Sequence, residues 1–136
     1  MNTFWISRAP HAYRFPVEAV DPILAALVMD EPVRVVFTGE GKAWLEDCAA
    51  ARPLGQLEFF DDVELIGVGN GSATVAGHTV RWVDAVELRE IAGDSLHLQC
   101  EPGAVSESVL QARTADVDAM LHAMEQSAEL IVWCRP

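Results

Sequence analysis

Within the first forty residues, two short apolar segments flank a helix-patterned one. No other feature of the chain narrows its possible folds as much. Phe4-Trp5-Ile6 opens a segment, residues 4–9, that reads as a buried strand running into the Ala9-Pro10-His11 turn. Val17, Val20, Ile23, Leu24, Leu27 and Val28 then recur at three- and four-residue steps, the period of a helix with one apolar stripe. Val33-Arg34-Val35-Val36-Phe37 is a second buried strand, spanning 33–38 and ending in Thr38-Gly39-Glu40-Gly41. Strand, helix and strand in so little chain make a βαβ unit, whose crossover joins parallel neighbours. In open α/β sheets, ligands gather beyond the carboxyl ends of the strands. Any reactive group is therefore sought in the residues that follow each strand.

The rest of the chain supports the same class. Pro22 fits the first turn of a helix over 20–29 with Asp21 as its N-cap, leaving 12–19 as loop. A second helix is expected over 41–50, carrying Trp44, Leu45 and Cys48 and stopped by Pro53 and Gly55. Residues 63–69 predict a third strand, and Asn70-Gly71-Ser72 a loop. A short strand follows over 79–83. Asp84 is a cap for a helical segment over 85–91 that Gly93 closes, and 95–100 alternates like an extended stretch. After the Pro102-Gly103 turn, segment 101–113 is the best place for an insertion or mobile element. A helix is expected over 115–128, capped by Thr114 or Asp116, with Val117, Met120, Leu121 and Met124 on one face, and a last strand over 130–134. The expected architecture is one α/β domain over residues 1–136. Its sheet is mainly parallel, of about five strands, with helices on both faces.

Charge removes one class of function. Nine Lys and Arg face 21 Asp and Glu, for a formal charge of −12, and the basic residues form no run. Binding a nucleic acid by this surface would need clustered cations to neutralise phosphates. A basic partner, by contrast, would be steered in. No apolar run reaches the roughly 18 residues that span a bilayer. The first residues lack the basic stretch of a secretory signal, so no membrane contact and a cytoplasmic location are expected. Cys48, Cys100 and Cys134 are odd in number, far apart and in no CxxC pair. That spacing predicts reduced thiols and no metal site.

The order of the motifs resembles the DsrE/DsrF-like family over most of the chain, and within it the DsrF/TusC branch. The carrying residues are the Arg8-Ala9-Pro10-His11 turn after strand one, the acidic, Ala/Leu-rich helix from Glu18 to Val28, and Leu57-Glu58-Phe59-Phe60-Asp61 before strand three. A terminal helix and short strand from Met120 to Trp133 complete the order. Gly39-Glu40-Gly41 departs from the Asp-Gly-Val type of loop usual there. The resemblance implies a subunit of a cytoplasmic sulfur-relay complex, serving tRNA wobble-uridine 2-thiolation or sulfur oxidation. Its partners would be DsrE/TusD-like and DsrH/TusB-like chains, in a hetero-hexamer holding each of three chains twice; homo-oligomeric members also exist.

Sulfur relay needs a thiolate able to hold a persulfide. In the DsrE/TusD branch that cysteine follows strand three. Here the matching residues are Gly69-Asn70-Gly71-Ser72, without a thiol, and a serine oxygen does not carry sulfane sulfur. The resemblance therefore implies a chain with no catalytic residue of its own and no cofactor, supporting the cysteine of a partner. Cys100 is the one weak catalytic candidate. It follows an extended segment, although its neighbour Glu101 disfavours the thiolate. Cys48, at helical spacing from Trp44, reads as a packed small hydrophobe. Cys134 reads as a strand-end residue, at a carboxyl end if the sheet is all parallel.

The other polar residues read mostly as structure. Arg8, His11 and Arg14 form either a small cationic patch or a plain exposed turn. His78, His97 and His122 lack metal-ligand spacing. Gly67-x-Gly69-x-Gly71 is not G-x-G-x-x-G, and Gly39-Glu40-Gly41 lacks the Gly-Lys-Ser/Thr ending of a P-loop. Glu40, Asp61 and Asp62 read as solvated turns. Trp44, Phe59 and Phe60 fill the core or mark an interface. Two rival readings stand beside the relay subunit. One is a divergent homo-oligomer that binds a small anion or thiol ligand in a crevice at Arg8, His11, Gly39 and Asn70. The other is a purely structural interaction module.

Overall fold

The structure, a computed structural model, describes residues 2–46, 49–95, 99–100 and 132–135. β1 (Asn2–Ile6) is buried along its whole length. A 3-10 turn at Pro10–Ala12 leads into α1 (Val17–Val28), which returns the chain to β2 (Val33–Phe37), parallel to β1. Two 3-10 stretches, Gly39–Leu45 and Ala49–Phe59, carry the chain to β3 (Val63–Val68). A two-stranded hairpin of β4 (Thr74–Val75) and β5 (His78–Thr79) precedes β6 (Arg81–Val83). Then come α2 (Ala85–Ser95), β7 (Gln99–Cys100) and β8 (Val132–Arg135).

Among the described residues the main sheet has six strands, in the order β6-β3-β2-β1-β8-β7. Four are parallel, β6, β3, β2 and β1, so the expected α/β class and mainly parallel sheet are present. The other two differ from expectation: β8 runs antiparallel to β1, and β7 antiparallel to β8. An apolar run states burial and carries no strand direction. In consequence Cys134 does not lie at the carboxyl end of a parallel array. Its register partner is Thr3, at the amino end of β1.

Alternation along the strands divides the core. Phe4, Ile6, Val33, Val35, Phe37 and Leu65 share one cluster with Ala19, Val20, Ile23 and Leu27 of α1 and with Leu54 and Leu57 of the 3-10 stretch. On the opposite face Trp5, Val36 and Ile66 are also buried, as are Leu88, Ile91 and Ala92 of α2. A sheet buried on both faces explains why β1 and β2 read as nearly continuous apolar runs.

α1 begins at Val17, a turn before the expected start, so Asp21 is not its cap. Pro16 holds the cap position without a side-chain hydrogen bond, and Pro22 lies inside the helix. Burial of Ala19 and Val20 outweighs the one backbone bond that Pro22 cannot donate. The helix ends in a Schellman motif. Asp30 takes a left-handed φ of 59°, Glu31 N–H donates to Ala26 O at 3.1 Å and Asp30 N–H to Leu27 O at 3.0 Å.

The helix expected over 41–50 is instead 3-10 in character, and Pro53 sits within the second 3-10 stretch rather than ending it. Trp44 and Leu54 satisfy either period over so short a span, and their pattern alone does not separate the two. The strand expected over 79–83 is split between the hairpin and β6. Ala76 and Gly77 both take positive φ (52° and 79°), the geometry of a type I′ hairpin turn. Asp84 does cap α2: its Oδ1 accepts from Glu87 N–H at 2.9 Å. Gly93, expected as the stop, lies inside α2. Segment 101–113, the helix over 115–128 with Met120 and Met124, and Cys48, His97 and His122 lie outside the described residues.

Candidate functional site

Four parallel strands place four chain segments along one edge of the sheet. These are Ser7–Pro10 after β1, Thr38–Gly41 after β2, Gly69–Ser72 after β3 and Asp84 after β6. The β1–β2 part of this edge is closed by main chain. Thr38 N–H donates to Ile6 O at 3.0 Å and Gly41 N–H to Thr38 O at 2.8 Å. Gly41 then lies so near the Ile6 carbonyl that a Cβ would be 2.7 Å from its carbon. Trp44 follows with its indole N–H on the Arg8 carbonyl at 2.9 Å and its ring edge-on to Tyr13, centroids 5.7 Å apart. Of the three aromatics weighed as core or interface, Trp44 is therefore core, Phe60 packs at the margin of the core, and Phe59 is 78% exposed.

Of Arg8, His11 and Arg14, Arg8 belongs to the junction with Trp44 and Tyr13. His11 is exposed on the Pro10–Ala12 turn, and the Arg14 guanidinium lies 5.4 Å from the centre of the Phe15 ring. Tyr13 behind them is buried. Its hydroxyl is pushed up from 10.0 to about 12 by burial, partly opposed by the positive charge of Arg8. The folded chain thus keeps a proton that the unfolded chain releases. Tyr13's contribution is full below pH 10 and is lost as pH rises from about 10 to about 12, on the order of 2–3 kcal/mol in all. It is the only tyrosine, so tyrosinate absorbance reports it alone. We expect a titration midpoint near 12 in the folded protein, and a Tyr13→Phe variant that loses less stability than the parent between those pH values. An ordinary midpoint near 10 in the folded chain counts against the burial argument.

The β3–β6 end of the edge is open. A cleft of about 610 Å³ is lined by Gly69, Asn70, Gly71, Trp82, Asp84 and Glu87, among others. The glycines there make room for an aromatic ring: a Cβ on Gly67 would meet Trp82 at 2.7 Å, and one on Gly71 would also meet it within 3 Å. Trp82 Nε1 is buried with no hydrogen-bond partner among the described residues. Asn70, exposed, is the one member of the expected Arg8, His11, Gly39 and Asn70 crevice in this cleft. The other polar side chains there are carboxylates. Glu87 is bound to Arg81, which also reaches Glu64, at 2.9 and 2.8 Å. A second depression, about 440 Å³, lies among Trp44, Arg52, Leu54 and the β4 hairpin.

The remaining polar residues have structural duties. His78 Nε2 is 2.9 Å from Leu57 O and ties the hairpin to the 3-10 stretch. Asp61 and Asp62 are exposed at the amino end of β3, where Asp62 O accepts from Val33 N–H at 2.9 Å. Glu40 is exposed in its turn. Among the described residues no group of three His, Cys, Asp or Glu side chains is placed to hold a metal ion, and no helix is long and apolar enough to cross a membrane. Comparison with protein-family models, with curated proteins and with solved structures finds no match.

Proposed function

We propose that this chain is a subunit of a sulfur-relay assembly that carries no persulfide itself. It would complete an oligomer and shape the surroundings of a persulfide cysteine on a DsrE/TusD-like partner, with a DsrH/TusB-like chain as the third component. The reading is supported above all by Gly69-Asn70-Gly71-Ser72. This loop is exposed at the carboxyl end of a parallel strand, beside an open cleft, and holds no sulfur where a relay chain would place one. The acidic surface leaves contact with tRNA, if that is the pathway, to a basic partner or carrier.

Intact-mass spectrometry after incubation with a persulfide-loaded cysteine desulfurase tests this. The expected result is no added sulfur, with a native mass showing assembly onto a cysteine-bearing partner. A gain of one sulfur, removed by a thiol reductant and abolished by Cys100→Ser, would make the chain a relay enzyme instead. Self-assembly without a partner would favour a homo-oligomer that uses its own cleft. The Asp84 and Glu87 lining suits a cationic or hydrogen-bonding ligand there better than an anion.

A further inference from the structure

Strand register brings together two cysteines that the sequence keeps 34 residues apart. Among the described residues β7 is the last strand on its side of the sheet, and it pairs antiparallel with β8. Cys100 stands directly across from Cys134, and Gln99 across from Arg135. Residues opposed in this way share a face, with Cα atoms about 4.5 or 5.5 Å apart depending on whether the pair exchanges hydrogen bonds. Both distances lie within the roughly 4.4–6.8 Å that a disulfide bridges. We propose that Cys100 and Cys134 form a dithiol–disulfide couple that fastens β7 to β8.

A second observation concerns charge. The same register continues across the sheet from Cys134 to Thr3, from Thr3 to Arg34 and from Arg34 to Glu64. Five residues, Glu64, Arg34, Thr3, Cys134 and Cys100, therefore form one row on one face. Arg34 Nη2 donates to Thr3 Oγ1 at 3.3 Å, so the guanidinium leans over β1, toward the side of the sheet where β8 and β7 lie. Its Nε is buried without a hydrogen-bond partner among the described residues, and Glu64 on its other flank is bonded to Arg81. The row thus holds one cation, Arg34, two strands from Cys134 and three from Cys100.

The oxidant is a low-molecular-weight disulfide. One protein thiolate attacks it, forming a mixed disulfide and releasing one small thiol. The second thiolate attacks the protein sulfur of that mixed disulfide and releases the other. Two protein thiols become one disulfide, one external disulfide becomes two thiols, and the two protons pass to the released thiolates. The product closes residues 101–133 into a loop, which removes conformations from the unfolded chain.

The test uses the full chain in oxidised or reduced glutathione, followed by alkylation, intact mass and peptide mapping. After oxidation, one of the three thiols should remain alkylatable, the mass should fall by two hydrogens, and one peptide pair should join Cys100 to Cys134. The oxidised form should melt roughly 10 °C above the reduced one. Cys48→Ser should keep the link and the shift, whereas Cys100→Ser should lose both. Three alkylatable thiols after oxidation, a stable glutathione adduct, or a link through Cys48 or between chains would overturn the proposal. The wild-type mapping decides it even if a variant fails to fold. The outcome is independent of the sulfur-relay reading, which concerns a gained sulfur rather than two lost hydrogens.

Discussion

Gly41→Ala is expected to destabilise the fold by at least about 3 kcal/mol, the upper end of what overpacking costs. The added Cβ would overlap the Ile6 carbonyl oxygen, lie 2.7 Å from its carbon and come within 3.2 Å of Ser7 Cα. All three atoms are main chain, so no side-chain rotation relieves the clash. The carbonyl itself cannot retreat without cost, because it accepts the Thr38 N–H at 3.0 Å and lies at the end of the β1–β2 ladder. Two other glycines calibrate the result. Gly55 has open space around it, and Gly55→Ala should be nearly neutral. Gly39 also has open space but a φ of +52°, so Gly39→Ala should cost only the left-handed strain of about 1–2 kcal/mol. Urea unfolding of the three variants with unchanged m-values gives the comparison. If Gly41→Ala costs no more than Gly39→Ala, the close approach between the two strand ends is not part of the native structure.

That glycine also shows where sequence reading reaches its limit. Gly39-Glu40-Gly41 can be read only by what it is not, since it lacks the ending of a phosphate loop. The reason for Gly41 is a contact with Ile6, 35 residues earlier, which no local pattern records. The strands were legible because β1, β2 and β3 are runs of apolar and β-branched residues bounded by turns. α1 was legible in its period but not in its start, since Pro22 suggests a first turn that the buried Ala19 and Val20 extend past. The type I′ turn went unread because Ala76 is not a residue that advertises positive φ. Strand direction was the larger omission. Without it, Cys134 read as a strand-end residue, at a carboxyl end only if the sheet were all parallel, and its register opposite Cys100 was out of reach. The loop after β3 was legible as a loop, because Asn70-Gly71-Ser72 displays its turn residues in the sequence.

Trp44→Ala carries the other large expected effect, a loss of about 3–5 kcal/mol. The indole is 1% exposed and belongs to the main cluster. It stands where three segments meet: its own 3-10 stretch, the Arg8 carbonyl just beyond β1, which it holds at 2.9 Å, and the Tyr13 ring, 5.7 Å away at 76°. Removing it deletes a large apolar surface, an edge-to-face contact worth about 0.5–1.5 kcal/mol beyond burial, and a donor to the main chain. Trp44→Phe separates these contributions. It keeps most of the ring and loses the N–H, so its cost should be about 1–2 kcal/mol, mainly that of the donor. Tyr13 gives an independent readout of the same junction. Its raised pKa comes first from burial, so the cavity left by Trp44→Ala should admit water and bring the tyrosinate midpoint down from about 12 toward 10, while Trp44→Phe leaves it high. A Trp44→Ala protein that stays folded with the parent's midpoint would mean that Tyr13 is shielded by other residues and that Trp44 is not the seal on this end of the sheet.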